Sequence, residues 1–171
     1  MKASLRGLFI MLLLALLGCG YRPLGAAPAT PQGAPSLAIP PFGNRSVEVG
    51  LETVFADALI QVFSQTKAVR LTTRPQGADL VLEGRVRSVD HTSVAFLDVN
   101  RSNVRRVTLH VEMSLKRPDS GKVLWKDNVV LQEEYVVDPN YHIGEATKAE
   151  SIRRAANTMA RRVLDKVLLV I

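Results

Sequence analysis

Arg106-Val107-Thr108-Leu109-His110-Val111-Glu112-Met113-Ser114-Leu115-Lys116 alternates between polar and apolar side chains over its whole length. A period of two puts every apolar residue on one face of an extended chain, so this stretch is a strand with one face buried. Pro118-Asp119-Ser120-Gly121 follows it with turn chemistry. Val123, Trp125, Val129 and Leu131 begin the next strand, which extends toward Val137. Asp127 interrupts its alternation, and a bulge or a wet edge is expected there. Upstream, Leu80, Leu82 and Val86 share one parity with Gly84, while Glu83, Arg85 and Arg87 take the other. That strand continues, with a bend, through Val89 to Phe96, and the polar run from Leu97 to Asn103 is a hairpin connection. Strands joined this tightly pair antiparallel.

Helical spacing brackets these strands. Leu51, Val54, Phe55, Ala58, Leu59, Val62 and Phe63 form one apolar stripe, with Ser46 as a candidate cap and Glu48 and Glu52 near the helix start. The polar face lacks the Lys and Arg of a membrane-surface helix, so packing on a sheet is the better reading. A second helix spans about Glu145 to Leu169 through Ile152, Ala155, Ala156, Met159, Val163 and Val167. Arg153, Arg154, Arg161, Arg162 and Lys166 crowd its second half, where the helix dipole favours cations. Before the first helix, Leu37 to Phe42 is a short strand whose pairing should stop near Ile39, because Pro40 and Pro41 have no N–H to give. Val69 to Thr72 is a brief extended piece. The order is β-α-β-β-β-α. It predicts an α+β domain with one mainly antiparallel four-stranded sheet, two helices packed on one face, and a polar opposite face free to meet a partner.

The beginning of the chain reads as an address. Lys2 and Arg6 precede ten uncharged, mostly aliphatic residues, Leu8 to Leu17. As a helix that run is about 15 Å long, half of a roughly 30 Å hydrocarbon core, so it suits an export signal better than a permanent span. Leu16-Leu17-Gly18-Cys19 resembles a bacterial lipobox, in which the cysteine thiol receives a diacylglyceryl group and the chain is cut before it. The alternative is an ordinary signal peptide with a chance cysteine. Gly20 stands where Asp would favour inner-membrane retention, which leans toward the outer membrane. Residues 20–36 carry Pro23, Pro28, Pro31 and Pro35 and cannot form a helix or a central strand. The expected organisation is a lipoprotein signal peptide at 1–18, a lipidated N-terminus and Pro/Ala-rich tether at 19–36, and a single domain at 37–171.

Composition narrows the chemistry. Loss of residues 1–18, which hold Lys2, Arg6 and no acid, takes the net charge from +6 to +4. That modest excess suits an anionic partner such as a phosphorylated glycolipid, while export removes the chain from nucleic acid. Cys19 is the single cysteine, so lipidation leaves neither a disulfide nor thiol chemistry. His91, His110 and His142 are scattered, with no ligand at metal-binding spacing, so no metal and no cofactor are expected. Glu133 and Glu134 are neighbours on a strand and point to opposite faces, the wrong arrangement for a two-carboxylate site. No nucleophile has a recognisable base, and the expectation is that the protein is not an enzyme.

Several stretches carry a family resemblance. Cys19-Gly20-Tyr21-Arg22-Pro23, Leu37-Ala38-Ile39-Pro40-Pro41-Phe42-Gly43-Asn44-Arg45-Ser46 with Gly50-Leu51-Glu52, Ala78-Asp79-Leu80-Val81-Leu82-Glu83-Gly84-Arg85-Val86, and the final helix are similar to the lipopolysaccharide-assembly lipoprotein family, LptE (older name RlpB). The Pro-Ala tether is longer than that family's pattern. The resemblance implies an outer-membrane lipoprotein, lipid-anchored and facing the periplasm, that plugs the LptD β-barrel, assists its assembly and helps deliver lipopolysaccharide to the outer leaflet. It also implies lipopolysaccharide binding through basic residues, for which Arg101, Arg105, Arg106 and Lys148 are the candidates here. Solvated strand-edge cations are the competing explanation for each. An envelope accessory domain of CsgG- or TolB-like type, without lipopolysaccharide binding, is the alternative function; a lipid-anchored hydrolase is a weaker one.

Overall fold

A computed structural model describes residues 33–98 and 101–171, with the side chains of 96–103 outside the description. The signal segment, Cys19 and most of the tether lie outside the described residues. The elements in order are β1 (Ser36–Ala38), β2 (Gly43–Asn44), α1 (Leu51–Phe63), β3 (Arg70–Thr72), β4 (Leu80–Asp98), β5 (Arg101–Arg117), β6 (Lys122–Val136) and α2 (Tyr141–Leu168).

The alternation that opens the sequence governs the core. Val107, Leu109, Val111, Met113 and Leu115 of β5 are all buried, and their intervening neighbours are not. They share one core with Leu80, Leu82 and Val86 of β4, with Leu51, Phe55, Leu59 and Phe63 of α1, and with Ile152, Ala156, Met159, Val163 and Val167 of α2. Both helices therefore cover the same face. Phe42 stacks on Phe55 within this core, with ring centroids 5.9 Å apart. The opposite face carries cross-strand ion pairs: Arg87–Glu112 at 2.8 Å, Lys116–Glu83 at 2.6 Å and Arg106–Glu134 at 2.7 Å.

The sheet corrects the expected architecture. It has six strands, in the order β3-β1-β4-β5-β6 with β2 also on β4, and it is mixed. β4, β5 and β6 are antiparallel, as their tight connections require. β1 runs parallel to both β3 and β4, and β2 parallel to β4. The cause is α1: a helix between β1 and β3 carries the chain back along the sheet, so the following strand starts again at the same end. The count rises to six because the extended piece near Thr72 pairs as β3, and because Gly43 and Asn44, just beyond the run that Pro40 and Pro41 end, pair with β4 as β2.

Local differences have similar causes. α1 begins at Leu51, not near Glu48, and its N-cap is Gly50 at φ 84°, without a side-chain cap. Ser46 instead hydrogen bonds Asn44 and Glu48 within the preceding loop. α2 begins earlier than its apolar stripe, at Tyr141, because the Asn140 side chain accepts the N–H of His142. The β6 bulge falls opposite Leu115 and Lys116, not at Asp127, which faces Met113 across the ladder. Asp127 accepts the N–H of Asn128 on a strand that is an edge of the sheet. Farther along that edge, Arg154 donates to the Glu134 carbonyl (3.0 Å) and Thr147 to the Val136 carbonyl (2.8 Å), so α2 side chains take up groups that would otherwise face a missing strand.

Candidate ligand-binding site

The far ends of β4 and β6, the start of β5, the loop before α1 and the first turns of α2 meet at one end of the sheet. A register shift between Val86 and Ser88 exchanges the faces of β4, so Val89 and then His91 turn toward the helices. His91 thus lies within the strand that continues past Val89, on its helix-facing side. Its ring meets buried Tyr135 edge-on at 5.8 Å, with Nδ1 3.1 Å from the Tyr135 hydroxyl. Its Nε2 lies 3.1 Å from Glu48 Oε1. A neutral ring protonated at Nε2 satisfies both contacts: Tyr135 donates to Nδ1, and Nε2–H donates to Glu48.

Lys148 closes the chain of contacts. Its Nζ lies 3.3 Å from Glu48 Oε1 and 2.8 Å from Glu145 Oε2, one turn earlier on α2. Partial burial works against the ammonium, but its hydrogen bond to Glu145 and the charge of Glu48 outweigh it and raise the Lys148 pKa. Tyr135, His91, Glu48, Lys148 and Glu145 therefore join β6, β4, the loop before α1 and α2.

These residues wall a pocket of about 250 Å³ that also takes in Arg105, Asp138 and Tyr141. Arg105 shares the parity of Val107, faces the helix side and is exposed, with no carboxylate partner among the described residues. The structure thus brings two of the four candidate cations together, Arg105 and Lys148. Arg106 projects from the opposite face and pairs with Glu134. Arg101 opens β5 with its backbone opposite Asp98, and its side chain lies outside the described residues. Tyr135 is also a wall of a neighbouring groove of about 780 Å³, lined by Val104, Val136, Ile143 and Ala146 and rimmed by Glu150 and Arg154. The pocket thus holds two cations, Arg105 and Lys148, against three carboxylates, Glu48, Asp138 and Glu145, and it opens beside an apolar groove. Among the described residues, no three His, Cys, Asp or Glu side chains are grouped to hold a metal ion.

Glu48, His91 and Tyr135 are the members that residue patterns did not reveal. The bulge reverses the parity of His91, and Glu48 lies in a loop whose path depends on the whole fold. Tyr135 had a legible signal, since it shares the parity of Val129 and Leu131 on an apolar strand.

The architecture defines a two-layer α+β domain with two helices on one face of a mixed sheet, a form shared with several solved structures. Lipoprotein B from Nitrosomonas europaea matches with a TM-score of 0.54 at 12% identity, over 86% of this chain and 90% of that one. Rare lipoprotein B from Shewanella oneidensis matches with a TM-score of 0.51 at 13% identity, over 78% and 93%. Protein XCC0632 from Xanthomonas campestris matches with a TM-score of 0.57 at 12% identity, over 84% and 89%. At these identities the likeness establishes the fold. No curated protein matches in sequence. Residues 34–167 match the family model for lipopolysaccharide assembly, LptE, and the chain belongs to that family of lipoproteins.

Proposed function

We propose that this chain is an outer-membrane lipoprotein, held by acylated Cys19 and a tether through residue 36, that plugs an LptD-type barrel and hands lipopolysaccharide toward the outer leaflet. The domain from residue 37 onward carries the glycolipid contact. Family membership supports the role, and one observation carries the ligand reading: Arg105 and Lys148 converge on a pocket that shares Tyr135 with an apolar groove. Phosphate on the glycolipid would meet Arg105, which pairs with no carboxylate among the described residues, while Lys148 is first a tie between Glu48 and Glu145. The apolar groove would take the start of an acyl chain. Anchoring by lipid is consistent with the fact that no helix among the described residues is long and apolar enough to cross a membrane.

A photo-crosslinking residue placed at Arg105, and another at Arg106 on the opposite face, tests the ligand reading in the full chain. Capture of lipopolysaccharide from position 105 and not from 106 is expected; equal capture from both removes the site. Pull-down from mildly solubilised outer membranes tests the partner, with a barrel protein expected in stoichiometric amount. Its consistent absence would overturn the plug role.

A further inference from the structure

The loop between β2 and α1 keeps two valines in water. Val47 and Val49 are 87 and 93% exposed, more than any other large apolar side chain among the described residues. Neither belongs to the core or packs against it. Between them Glu48 turns the other way, onto His91 and Lys148.

The loop around these valines is built from polar bonds. It leaves the sheet with the Arg45 N–H donating to the Val86 carbonyl of β4 at 3.0 Å. Asn44 Oδ1 accepts from the N–H and the hydroxyl of Ser46, at 2.9 and 2.7 Å. Asn44 Nδ2 donates to the Glu48 carbonyl at 2.7 Å, and the Glu48 N–H donates to the Ser46 hydroxyl. Gly50, at φ 84°, closes the loop where α1 begins. Backbone and side chain of Glu48 are thus both fixed, and the residues on either side of it are set in place. Folding gives no reason for valine at 47 and 49, because polar side chains there would leave the core as it is. An ordered loop that holds apolar side chains outward is a surface prepared for a partner, and its order lowers the entropic cost of docking.

The order and the charge also say what kind of partner. A lipid surface is fluid and needs no fixed geometry, and an anionic one is met by clustered cations. Here acids outnumber cations in the adjoining pocket, which Glu48 walls together with Tyr141, itself 73% exposed. Two fixed aliphatic tips and an exposed aromatic ring beside carboxylates fit a structured protein surface, one with an apolar depression and a cation on its border.

We propose that Val47 and Val49 dock on the wall of the barrel that surrounds this domain, at the mouth of the candidate pocket. The inference rests on the plug reading and deepens it by naming the surface through which the barrel meets the ligand-bearing end. Glu48 belongs both to the docked loop and to the pocket wall, so the barrel stands beside the pocket and receives what leaves it.

The test uses the full-length acylated chain in cells that make the barrel. Pull-down with the natural chain first identifies the barrel protein by mass spectrometry; its absence overturns the plug reading, and this docking surface with it. A photo-crosslinking residue at position 47 or 49 should then form an adduct with that same protein. Val47→Asp with Val49→Asp should reduce the co-purified barrel at least fivefold, whereas Val123→Asp, a change at an exposed valine of β6, should leave it within twofold. Melting temperature should not change, since neither loop valine packs in the core; if it falls, the crosslinks decide alone. A barrel that co-purifies with the natural chain but forms no adduct at 47 or 49 overturns the docking surface and leaves the plug reading standing. So does an adduct there with lipopolysaccharide or a second copy of this chain in place of the barrel, or an undiminished barrel yield from the double variant.

Discussion

The Phe42 ring occupies the space into which any side chain at Gly84 would project. Gly84 lies on the helix-facing parity of β4 between Leu82 and Val86, and its missing Cβ is what lets Phe42 lie down against the sheet and stack on Phe55. Gly84→Ala should therefore overpack a buried aromatic pair and destabilise the domain by about 1–3 kcal/mol. Urea midpoints measure it. Combining Gly84→Ala with Phe42→Leu should recover part of the loss, whereas strictly additive penalties would show that the ring is not the obstacle.

The Glu48–Lys148–Glu145 tie has a pH signature. A folded-state pKa raised above the ordinary lysine value of about 10.4 contributes stability that is complete below that value and lost as pH rises through the folded one. Melting temperatures taken from pH 8 to 11.5 should thus fall more steeply for the natural chain than for Lys148→Met. At pH 8 the same substitution should cost on the order of 1–2 kcal/mol, since Glu48 loses a partner in a half-buried site. Parallel curves for the two proteins would show that the tie carries no stability.

At the other end of the sheet the sign is reversed. Hydrogen bonds from the Ser36 side chain and backbone hold the Asp79 pKa down, outweighing partial desolvation. A lowered carboxylate pKa gives stability above the unfolded value of about 3.9 and withdraws it as pH falls through the folded value. Asp79→Asn should be less stable than the natural chain at pH 6, and the difference should shrink on descent toward pH 2. Thermal unfolding across that range decides it; a gap that does not change with pH would remove the ionised clamp from the account.

For the proposed glycolipid site, the cations should not be equivalent. Arg105→Glu should weaken lipopolysaccharide binding fivefold or more with little change in melting temperature, because it breaks no ion pair among the described residues. Arg106→Glu should leave affinity near the natural value while disturbing the Arg106–Glu134 pair on the other face. Binding to immobilised lipopolysaccharide at fixed salt compares the two, and the reverse order would move the site to the open face.

The core was legible because period-two and helical patterns report burial directly: Val107 to Leu115 and Leu51 to Phe63 behave as their spacing demands. Strand direction was not. Parallel pairing of β1 with β4 joins residues more than forty apart, and short strands carry no mark of their neighbours. Of the site, Arg105 and Lys148 were visible as cations near the right elements, but their meeting depends on the three-dimensional path of α2. The division of Arg105 from Arg106 follows from parity alone and was available in the sequence. His91 was hidden by a bulge, which changes a residue's face without changing its neighbours in the chain.

The caps that α2 places on β6 bear on crowding. Chains confined to a membrane surface encounter one another at a far higher effective concentration than in solution. A long unpaired strand is then an invitation to polymerise by sheet extension. Arg154 and Thr147 occupy the carbonyls at Glu134 and Val136, and Asp127 occupies the N–H of Asn128, so a visiting strand would find no free carbonyl at the α2 end of this edge. The helix that completes the core thus also blunts one end of the edge, and loosening its first turns would expose the Glu134 and Val136 carbonyls to a neighbouring copy.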